Sequence, residues 1–285
     1  MSGLATDGLL LIDKPGGITS HDAVDRIRRA LGIRRVGHAG TLDPMATGLL
    51  LVGVGRATRL LRFLAGMPKT YEGTMRLGVR TTTLDADGEV VGSPVDVAVS
   101  ADDVRGALAA LEGDSLQRPP AFSAVKVGGT KLYEAARRGV RVEAEPRPIR
   151  VDRFALDAFD GRDARFTVTC SSGTYVRVLA ADAGERLGCG AHLSRLRRMA
   201  IGPFRVDDAT APDAPGAPRP LALAVAHLPR LSLDEHEAIA ARHGRILGPA
   251  GIEGPYAVFD PDGELIGVYA DDGTTGRPQV ILAPA

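Results

Sequence analysis

The sequence predicts an α+β fold with a mixed, largely antiparallel sheet flanked by helices. Two segments, Tyr71–Leu77 and Arg165–Cys170, alternate polar and apolar residues, which is typical of strands with one buried face. Helical segments lie between such strands without the regular strand–helix–strand repeat of a doubly wound parallel sheet. Most neighbouring strands are therefore expected to be antiparallel.

An apolar run at Leu9–Ile12 predicts the first strand, and a helix follows it. This helix is expected to begin near His21, with Thr19 or Ser20 as its N-cap, because these side chains satisfy the free N–H groups of a first turn. Gly32 is expected to end it, since glycine accepts the left-handed conformation common after a helix. The same signals predict a strand at Leu49–Val54 and helices at Ala101–Leu111 and Thr174–Leu187.

Composition divides the chain into a larger domain, residues 1–206, and a smaller one, residues 221–285. Residues 207–220 between them are rich in Pro, Ala and Asp and lack apolar periodicity, which predicts a linker. In the smaller domain, Ser232 and Glu235 form a capping-box pattern at the start of a short helix. Strand-like segments on both sides of a Pro-Asp-Gly turn make this domain mostly β.

The charge is balanced over the whole chain but not along it. The 35 basic and 35 acidic residues give a net charge of zero, yet residues 1–206 carry +7 and residues 207–285 carry −7. Of the basic residues, 31 are arginines, whose planar guanidinium suits bidentate contacts with phosphate. An arginine bias also arises from genomic base composition, so it permits a nucleic-acid partner without requiring one.

Several classes of protein are excluded by what the sequence lacks. No apolar run reaches the roughly 18 residues of a membrane span, and no signal-peptide pattern opens the chain, so we expect a cytoplasmic protein with no membrane partner. No phosphate-binding G-K-[ST] motif occurs, and Gly53-Val-Gly55 lacks the third glycine of a dinucleotide fingerprint. Cys170, Cys189 and His192 supply only three of the four ligands of a structural zinc site. We therefore expect no cofactor and no metal, and free thiols.

Residues 35–48 are the strongest candidate for a functional loop because they are rich in glycine and small residues. Asp43 precedes Pro44, which restricts it to extended geometry, and the glycines allow a ligand to approach the backbone closely. The loop would then present one ordered carboxylate. The alternative is an Asx turn before proline, without a ligand. Further along the chain, Asp85-x-Asp87-Gly88 offers too few oxygen ligands for calcium and is predicted to be a turn.

Six groups of segments give these residues a context, in this order: Leu11–Ser20; Gly37–Leu49; Lys69–Tyr71; Leu77–Gly88; Pro119–Lys126 with Gly129–Tyr133; and Cys170–Arg177 with Leu187–Leu193. Together they resemble the TruB family of bacterial tRNA pseudouridine synthases over nearly the whole chain. The resemblance implies a pseudouridine synthase catalytic domain followed by a small PUA-like C-terminal domain. It also implies that residues 118–150 form an RNA-gripping insertion.

The resemblance implies that Asp43 is the catalytic aspartate and that Arg177 pairs with it, which would lower its pKa and fix its orientation. Asp43 would act as a nucleophile, stabilise cationic character at C1′, or take a proton from C2′; the sequence does not choose among these. Tyr71 matches the tyrosine that stacks on the target base and helps remove the C5 proton. His38, Tyr175 and Leu196 match positions that line the pocket or accommodate the displaced nucleotide.

Basic residues of the larger domain are expected to contact the RNA backbone: Lys14, Lys126, Lys131, Arg137 and Arg138. The implied activity is conversion of uridine 55 in the T-arm of tRNA to pseudouridine, by a monomer that needs no guide RNA or obligate protein partner. Two alternatives remain open at this stage: an RNA-folding factor with secondary catalysis, and a guide-directed modifier of other RNAs. Every candidate catalytic residue precedes residue 207, so deletion from Pro220 onward is expected to leave turnover.

Overall fold

The computed structural model describes residues 7–123, 125–140 and 142–282 of the 285-residue chain. The side chains of Lys131, Ala136 and Arg137 also lie outside the description. Within these ranges the chain forms six α-helices: α1 Ser20–Leu31, α2 Leu61–Ala65, α3 Ala101–Ala109, α4 Leu132–Arg137, α5 Val176–Arg186 and α6 Glu235–Arg242.

The described residues form strands in four sheets. In the larger domain they are β1 Gly8–Lys14, β2 Val36–Ala39, β3 Thr47–Val54, β4 Lys69–Leu77, β5 Arg80–Thr81, β6 Val90–Val91, β7 Gly113–Gln117, β8 Lys126–Val127, β9 Thr130–Lys131, β10 Arg147–Phe159, β11 Asp163–Cys170, β12 Ala191–Ile201 and β13 Phe204–Arg205. In the smaller domain they are β14 Arg230–Ser232, β15 Pro255–Phe259, β16 Leu265–Asp271 and β17 Gly276–Ile281.

The main sheet has the order β1-β3-β12-β4-β11-β10-β7, with β2 paired to β3 and β13 paired to β12. Its neighbours are antiparallel except β12 and β3, which run parallel where Arg197 faces Thr47. The prediction of a mixed, largely antiparallel sheet in an α+β fold is therefore confirmed. The parallel junction matters for the site, because it places β12 between the strand that follows the Asp43 loop and the strand that carries Tyr71.

Helix ends follow local chemistry in most places. The N-cap of α1 is Thr19, whose side chain accepts a hydrogen bond from the Asp22 N–H, and Gly32 ends the helix with φ 66°. Helix α5 begins at Val176, two residues later than the sequence predicts. Tyr175 is the N-cap and has an extended backbone (φ −95°, ψ 104°), with its N–H and its carbonyl both hydrogen-bonded to the Gln117 side chain.

The smaller domain is the sheet β14-β15-β16-β17 with α6 packed against it. The predicted capping box at Ser232 is wrong. Asp234 caps the helix instead, accepting a hydrogen bond from the Glu237 N–H at 2.8 Å. Both residues have side chains suited to capping, and Asp234 stands directly before the first helical residue.

The two domains share one apolar core. Leu9, Leu51 and Leu64 from the larger domain pack in the same buried cluster as Phe259 and Val268 from the smaller one. Three arginines of the larger domain strengthen the contact by donating to backbone carbonyls of the C-terminal strand region, with Arg56 bonded to Leu282, Arg59 to Ile281 and Arg62 to Gln279.

Residues 207–220, which the sequence predicts to be a linker, lie along the edge of the main sheet. Leu9 and Arg219 exchange two backbone hydrogen bonds of 2.9 and 2.8 Å, and Thr210 bonds in the same way with Asp13 and Leu11. The segment therefore covers the otherwise open edge of β1. Among the helices of the described ranges, none is long and apolar enough to cross a bilayer.

Candidate active site

The Asp43 loop, residues 40–46, connects β2 to β3 and is held to the first strand and helix of the chain. Ser20 Oγ accepts a hydrogen bond from the Leu42 N–H at 2.9 Å, so this residue anchors the loop. Lys14 Nζ donates to the Pro44 carbonyl at 3.3 Å, and the Gly17 N–H donates to the same carbonyl at 2.9 Å. These bonds flank Asp43 on both sides and fix its backbone.

Arg177 on α5 connects Asp43 to a second carboxylate, Asp85. Its Nε lies 3.5 Å from Asp43 Oδ2, and its Nη1 lies 3.2 Å from Asp85 Oδ2. The side chains of Arg177 and Asp85 are each 5 % exposed, whereas that of Asp43 is 38 % exposed. Asp85 is thus a buried anchor for the guanidinium, and Asp43 presents its carboxylate to solvent or ligand.

Backbone groups complete the setting of Arg177. Nη2 donates to the Phe122 carbonyl at 2.6 Å and Nη1 to the Thr83 carbonyl at 3.3 Å. The Asp85 carboxylate is itself oriented by the Thr83 hydroxyl at 2.5 Å. Because guanidinium and carboxylate are held in fixed orientations, the position of Asp43 relative to Arg177 is set before any ligand binds.

Burial raises the pKa of the Asp43 carboxyl above its usual value, and the nearby charges of Asp85 and Asp87 add to this effect. Arg177 and Lys14 act in the opposite direction. The expectation that Arg177 would leave Asp43 with a lowered pKa is therefore wrong in its net sign. The guanidinium does favour the ionised form, but desolvation of the loop outweighs it.

Tyr71 lies in β4, directly opposite Val168 of β11 and Arg198 of β12. It is 8 % exposed, and burial raises the pKa of its phenol while the charge of Arg198 opposes the rise. The hydroxyl is therefore protonated at neutral pH. A neutral phenol held between two strands can stack on a planar ligand and exchange a hydrogen bond with it.

A cavity of about 610 Å³ lies next to the Asp43 loop and is lined by residues of β3, β4, β10, β11 and β12. It borders the Asp43 loop through Met45 and Thr47, and the Asp85 turn through Ala86. Leu196 and Phe166 give it an apolar wall, and charged side chains of β4, β10, β11 and β12 stand at its rim: Glu72, Asp157, Arg165, Arg195 and Arg197. An apolar wall with a polar rim fits a planar, partly polar ligand such as a nucleobase.

The other predicted pocket residues occupy different places. His38 lies in β2 opposite Val52, and burial lowers the pKa of its imidazole, so the ring is neutral. Its Nδ1 has no hydrogen-bond partner in the described structure. Tyr175 precedes α5, with its ring centroid 5.9 Å from the Arg177 guanidinium carbon. Leu196 reaches the cavity wall, as noted above.

The prediction that Lys14 contacts RNA phosphates is wrong. Lys14 is fully buried and donates to the carbonyls of Pro15, Ile18 and Pro44, and burial lowers its pKa to about 8. Lys126 and Arg138 are exposed and available to a ligand. The side chains of Lys131 and Arg137 lie outside the described residues.

Sequence reasoning missed three residues of the site: Asp85, Gln117 and Arg198. Asp85 does form the predicted turn, because Gly88 N–H donates to its carbonyl at 3.3 Å, but its carboxylate serves Arg177. The Gln117 amide brackets the backbone of Tyr175, accepting from its N–H and donating to its carbonyl. The only sequence signal for Asp85 was its place in the segment Leu77–Gly88; the other two carried none.

Comparison with known proteins gives a consistent result. Residues 28–176 match the family model described as TruB family pseudouridylate synthase (N terminal domain). Residues 177–213 match the model described as tRNA pseudouridylate synthase B C-terminal domain. Residues 228–283 match the model described as tRNA Pseudouridine synthase II, C terminal. The chain is 47 % identical over 295 residues to tRNA pseudouridine synthase B of Mycobacterium sp. (strain KMS), covering 100 % of this chain and 99 % of that protein. It is 44 % identical over 287 residues to the same enzyme of Mycobacterium tuberculosis H37Rv, covering 98 % and 96 %.

Solved structures agree at the level of the fold. A chain of a Cbf5-Nop10-Gar1 complex aligns with a TM-score of 0.74 and 26 % identity, covering 98 % of this chain and 86 % of that one. A chain of an H/ACA RNP bound to a substrate RNA containing 2'-deoxyuridine aligns with a TM-score of 0.73, also at 26 % identity, covering 97 % and 85 %. The fold is thus that of a pseudouridylate synthase. Within that class, the chain belongs to the TruB family.

Proposed function

We propose that this enzyme converts uridine 55 in the T-arm of tRNA to pseudouridine, with Asp43 as the catalytic aspartate. The observation that carries the proposal is the Asp43 carboxylate, which is accessible and paired with the buried Arg177 at 3.5 Å, on a loop that borders a cavity through Met45. The similarity to enzymes called tRNA pseudouridine synthase B supports the choice of substrate.

The reaction breaks the N1–C1′ bond of uridine, turns the uracil, joins C5 to C1′ and then removes the C5 proton. Asp43 would attack C1′, stabilise positive charge there, or accept a proton from C2′. All three roles need the ionised carboxylate. Arg177 supports that form at Asp43, against the effect of burial, through an ion pair of 3.5 Å in which Nε makes no hydrogen bond.

The base must leave the RNA stack before this chemistry can begin, at a cost of roughly a few kcal/mol. The cavity beside Asp43 would receive it, with the Leu196 side chain against the displaced nucleotide and Tyr71 stacked on the ring. The neutral phenol of Tyr71 would then contribute a hydroxyl near C5. His38 and Tyr175 would line the approach to the cavity.

The exposed basic residues Lys126 and Arg138, together with Lys131 and Arg137, would contact phosphates from the insertion at residues 118–150. Phe122 in this insertion accepts a hydrogen bond from Arg177, so the proposed RNA grip and the catalytic pair are in direct contact. The smaller domain, with net charge −7 in residues 207–285, would contribute through docking rather than phosphate binding. We expect a monomer that acts in the cytoplasm, where tRNA is found.

The test is release of tritium from C5-labelled uridine in an unmodified tRNA transcript, since isomerisation leaves the RNA mass unchanged. The purified wild-type chain, alone and with no added cofactor, should release one equivalent. A transcript with cytidine at position 55 and label elsewhere is the matched control and should release none. Release from both transcripts would show that the uridine that reacts is not the one at position 55.

Two other functions make different predictions in this assay. A guide-directed modifier, as suggested by the likeness to a chain in H/ACA complexes, would need a second RNA before any release occurs. An RNA-folding factor would bind the transcript and release no tritium. Activity of the chain alone on naked tRNA therefore supports the proposed function over both alternatives.

A further inference from the structure

Arg198 in β12 is a buried cation without a carboxylate partner in the described part of the chain. It is 1 % exposed, and its hydrogen bonds go to backbone carbonyls. A buried charge that is not neutralised by an opposite charge is costly to keep in a fold. We therefore expect the guanidinium to do something at this position that an apolar side chain of the same size could not do.

The hydrogen bonds of Arg198 connect the two ends of the Asp43 loop. Nη2 donates to the Gly40 carbonyl at 3.0 Å and Nη1 approaches the Thr41 carbonyl at 3.5 Å, where the loop begins. Nε donates to the Leu49 carbonyl at 2.7 Å, in the strand that follows the loop. Three acceptors in fixed positions leave the planar guanidinium a single orientation.

The side chain directly across the sheet from Arg198 is Tyr71. Direct partners on antiparallel strands have Cβ atoms about 4.5–5.5 Å apart and project to the same face. A guanidinium has donors only, so the Tyr71 hydroxyl can accept from it but cannot donate to it. A hydrogen bond from Arg198 therefore leaves the phenolic hydrogen and the remaining lone pair of the oxygen available for another partner.

We propose that Arg198 is a positioning residue that fixes the orientation of the Tyr71 hydroxyl, with the loop carbonyls holding the guanidinium in place. The inference rests on the proposed function, in which Tyr71 acts on the flipped base. Arg198 itself is buried and does not touch RNA. Its loss should therefore affect the rate of isomerisation and leave RNA binding nearly unchanged.

The test is a double-mutant cycle between Arg198→Met and Tyr71→Phe, measured as single-turnover tritium release with saturating enzyme. Arg198→Met should slow release by about 10²-fold, the size of effect that a small misplacement of a reacting group causes. The affinity for tRNA should stay within about threefold, because no phosphate contact is lost. In the Tyr71→Phe background the same substitution should cost at least tenfold less than in the wild type, because the hydroxyl it positions is already absent and only its bonds to the Asp43 loop are lost.

The matched control is Arg205→Met on the same hairpin. Arg205 also donates to a carbonyl, that of Gly202 at 2.8 Å, but it is exposed, so its replacement should leave rate and affinity unchanged. If Arg198→Met does not fold, Arg198→Lys keeps the charge with fewer donors. It should give a smaller loss of rate, which is again reduced in the Tyr71→Phe background.

Multiplicative effects of the two substitutions, or a wild-type rate in folded Arg198→Met, would overturn the positioning role. A loss of RNA affinity equal to the loss of rate would overturn it as well, because Arg198 would then support the binding surface. These results differ from failure of the proposed function, in which the wild-type chain and Arg205→Met would release no tritium at all.

Discussion

Nη1 of Arg177 lies 3.2 Å from Oδ2 of Asp85, and both side chains are almost completely buried. The two residues are 92 positions apart in the sequence, so only the tertiary fold brings them together. Their pairing leaves the Nε side of the same guanidinium facing Asp43 at 3.5 Å. One arginine is therefore divided between a carboxylate that anchors it and a carboxylate that it orients.

Asp85→Asn should destabilise the protein by about 3–5 kcal/mol, because removal of one partner leaves a buried charge without full compensation. Urea denaturation measures the change. Asp152→Asn is the matched control, since Asp152 pairs with Arg150 at 2.8 Å on the surface and should cost at most about 1 kcal/mol. Equal losses for the two variants would show that Asp85 is no more than a turn residue.

The acid limb of the pH–rate profile should have its midpoint above the pKa of an ordinary aspartate, which is about 3.9. Asp43 must be ionised to react, and its pKa is raised, so protonation stops the reaction as the pH falls through this higher value. Single-turnover rates across the acid range measure the limb. Asp87→Asn removes a charge that contributes to the rise, so its limb should move to lower pH. A limb at or below 3.9 in the wild type would contradict the assigned environment of Asp43.

Gly48→Ala should destabilise the site, because Gly48 has φ 100° and a Cβ there would lie 2.3 Å from the Arg198 carbonyl oxygen. The unfavourable backbone conformation alone costs about 1–3 kcal/mol. Gly66→Ala is the control, with φ −75° and open space around the added methyl group. Thermal melting of both variants separates local strain from a general effect of replacing glycine. A Gly48→Ala protein as stable as Gly66→Ala would mean that the parallel β3–β12 junction tolerates a side chain.

Deletion of residues 221–285 should lower stability more than it lowers catalysis per folded molecule. No proposed catalytic residue is removed, but the cut exposes Leu9, Leu51 and Leu64, which pack against the smaller domain. Melting temperature and rate, both measured on the soluble fraction, test the two parts of this expectation. A stable, folded remainder without turnover would place part of the active site in the smaller domain.

Local signals in the sequence predict much of this fold. Alternation gave the strands around Tyr71 and Arg165, and the small polar residue before the first helix gave Thr19 as a cap. The start of α5 was predicted two residues early, because the extended backbone of Tyr175 is bonded at both its N–H and its carbonyl to Gln117, which is far away in the sequence. A helix boundary can be predicted from nearby residues only when the groups that bond its terminal backbone are also nearby in the sequence.

The active site, too, could be predicted from the sequence only in part. Asp43 could be found from its loop and from family resemblance, and the resemblance also indicated Tyr71 and Arg177. Its pKa could not be predicted, because the sign depends on how much water the folded loop excludes. Lys14 illustrates the same limit: its charge suggested a surface contact, whereas its ammonium group is buried against the carbonyls of Pro15, Ile18 and Pro44.

The assignment of Asp43 is tested most directly by Asp43→Asn in the tritium-release assay. The amide keeps the size of the side chain, and Arg177 retains Asp85 as its buried partner, so the variant should fold and bind tRNA within a few-fold of wild type. The account predicts no release above background from Asp43→Asn and full release from Asp25→Asn, which alters an exposed carboxylate paired with Arg28. Release by Asp43→Asn at the wild-type rate would contradict the central role given to this carboxylate.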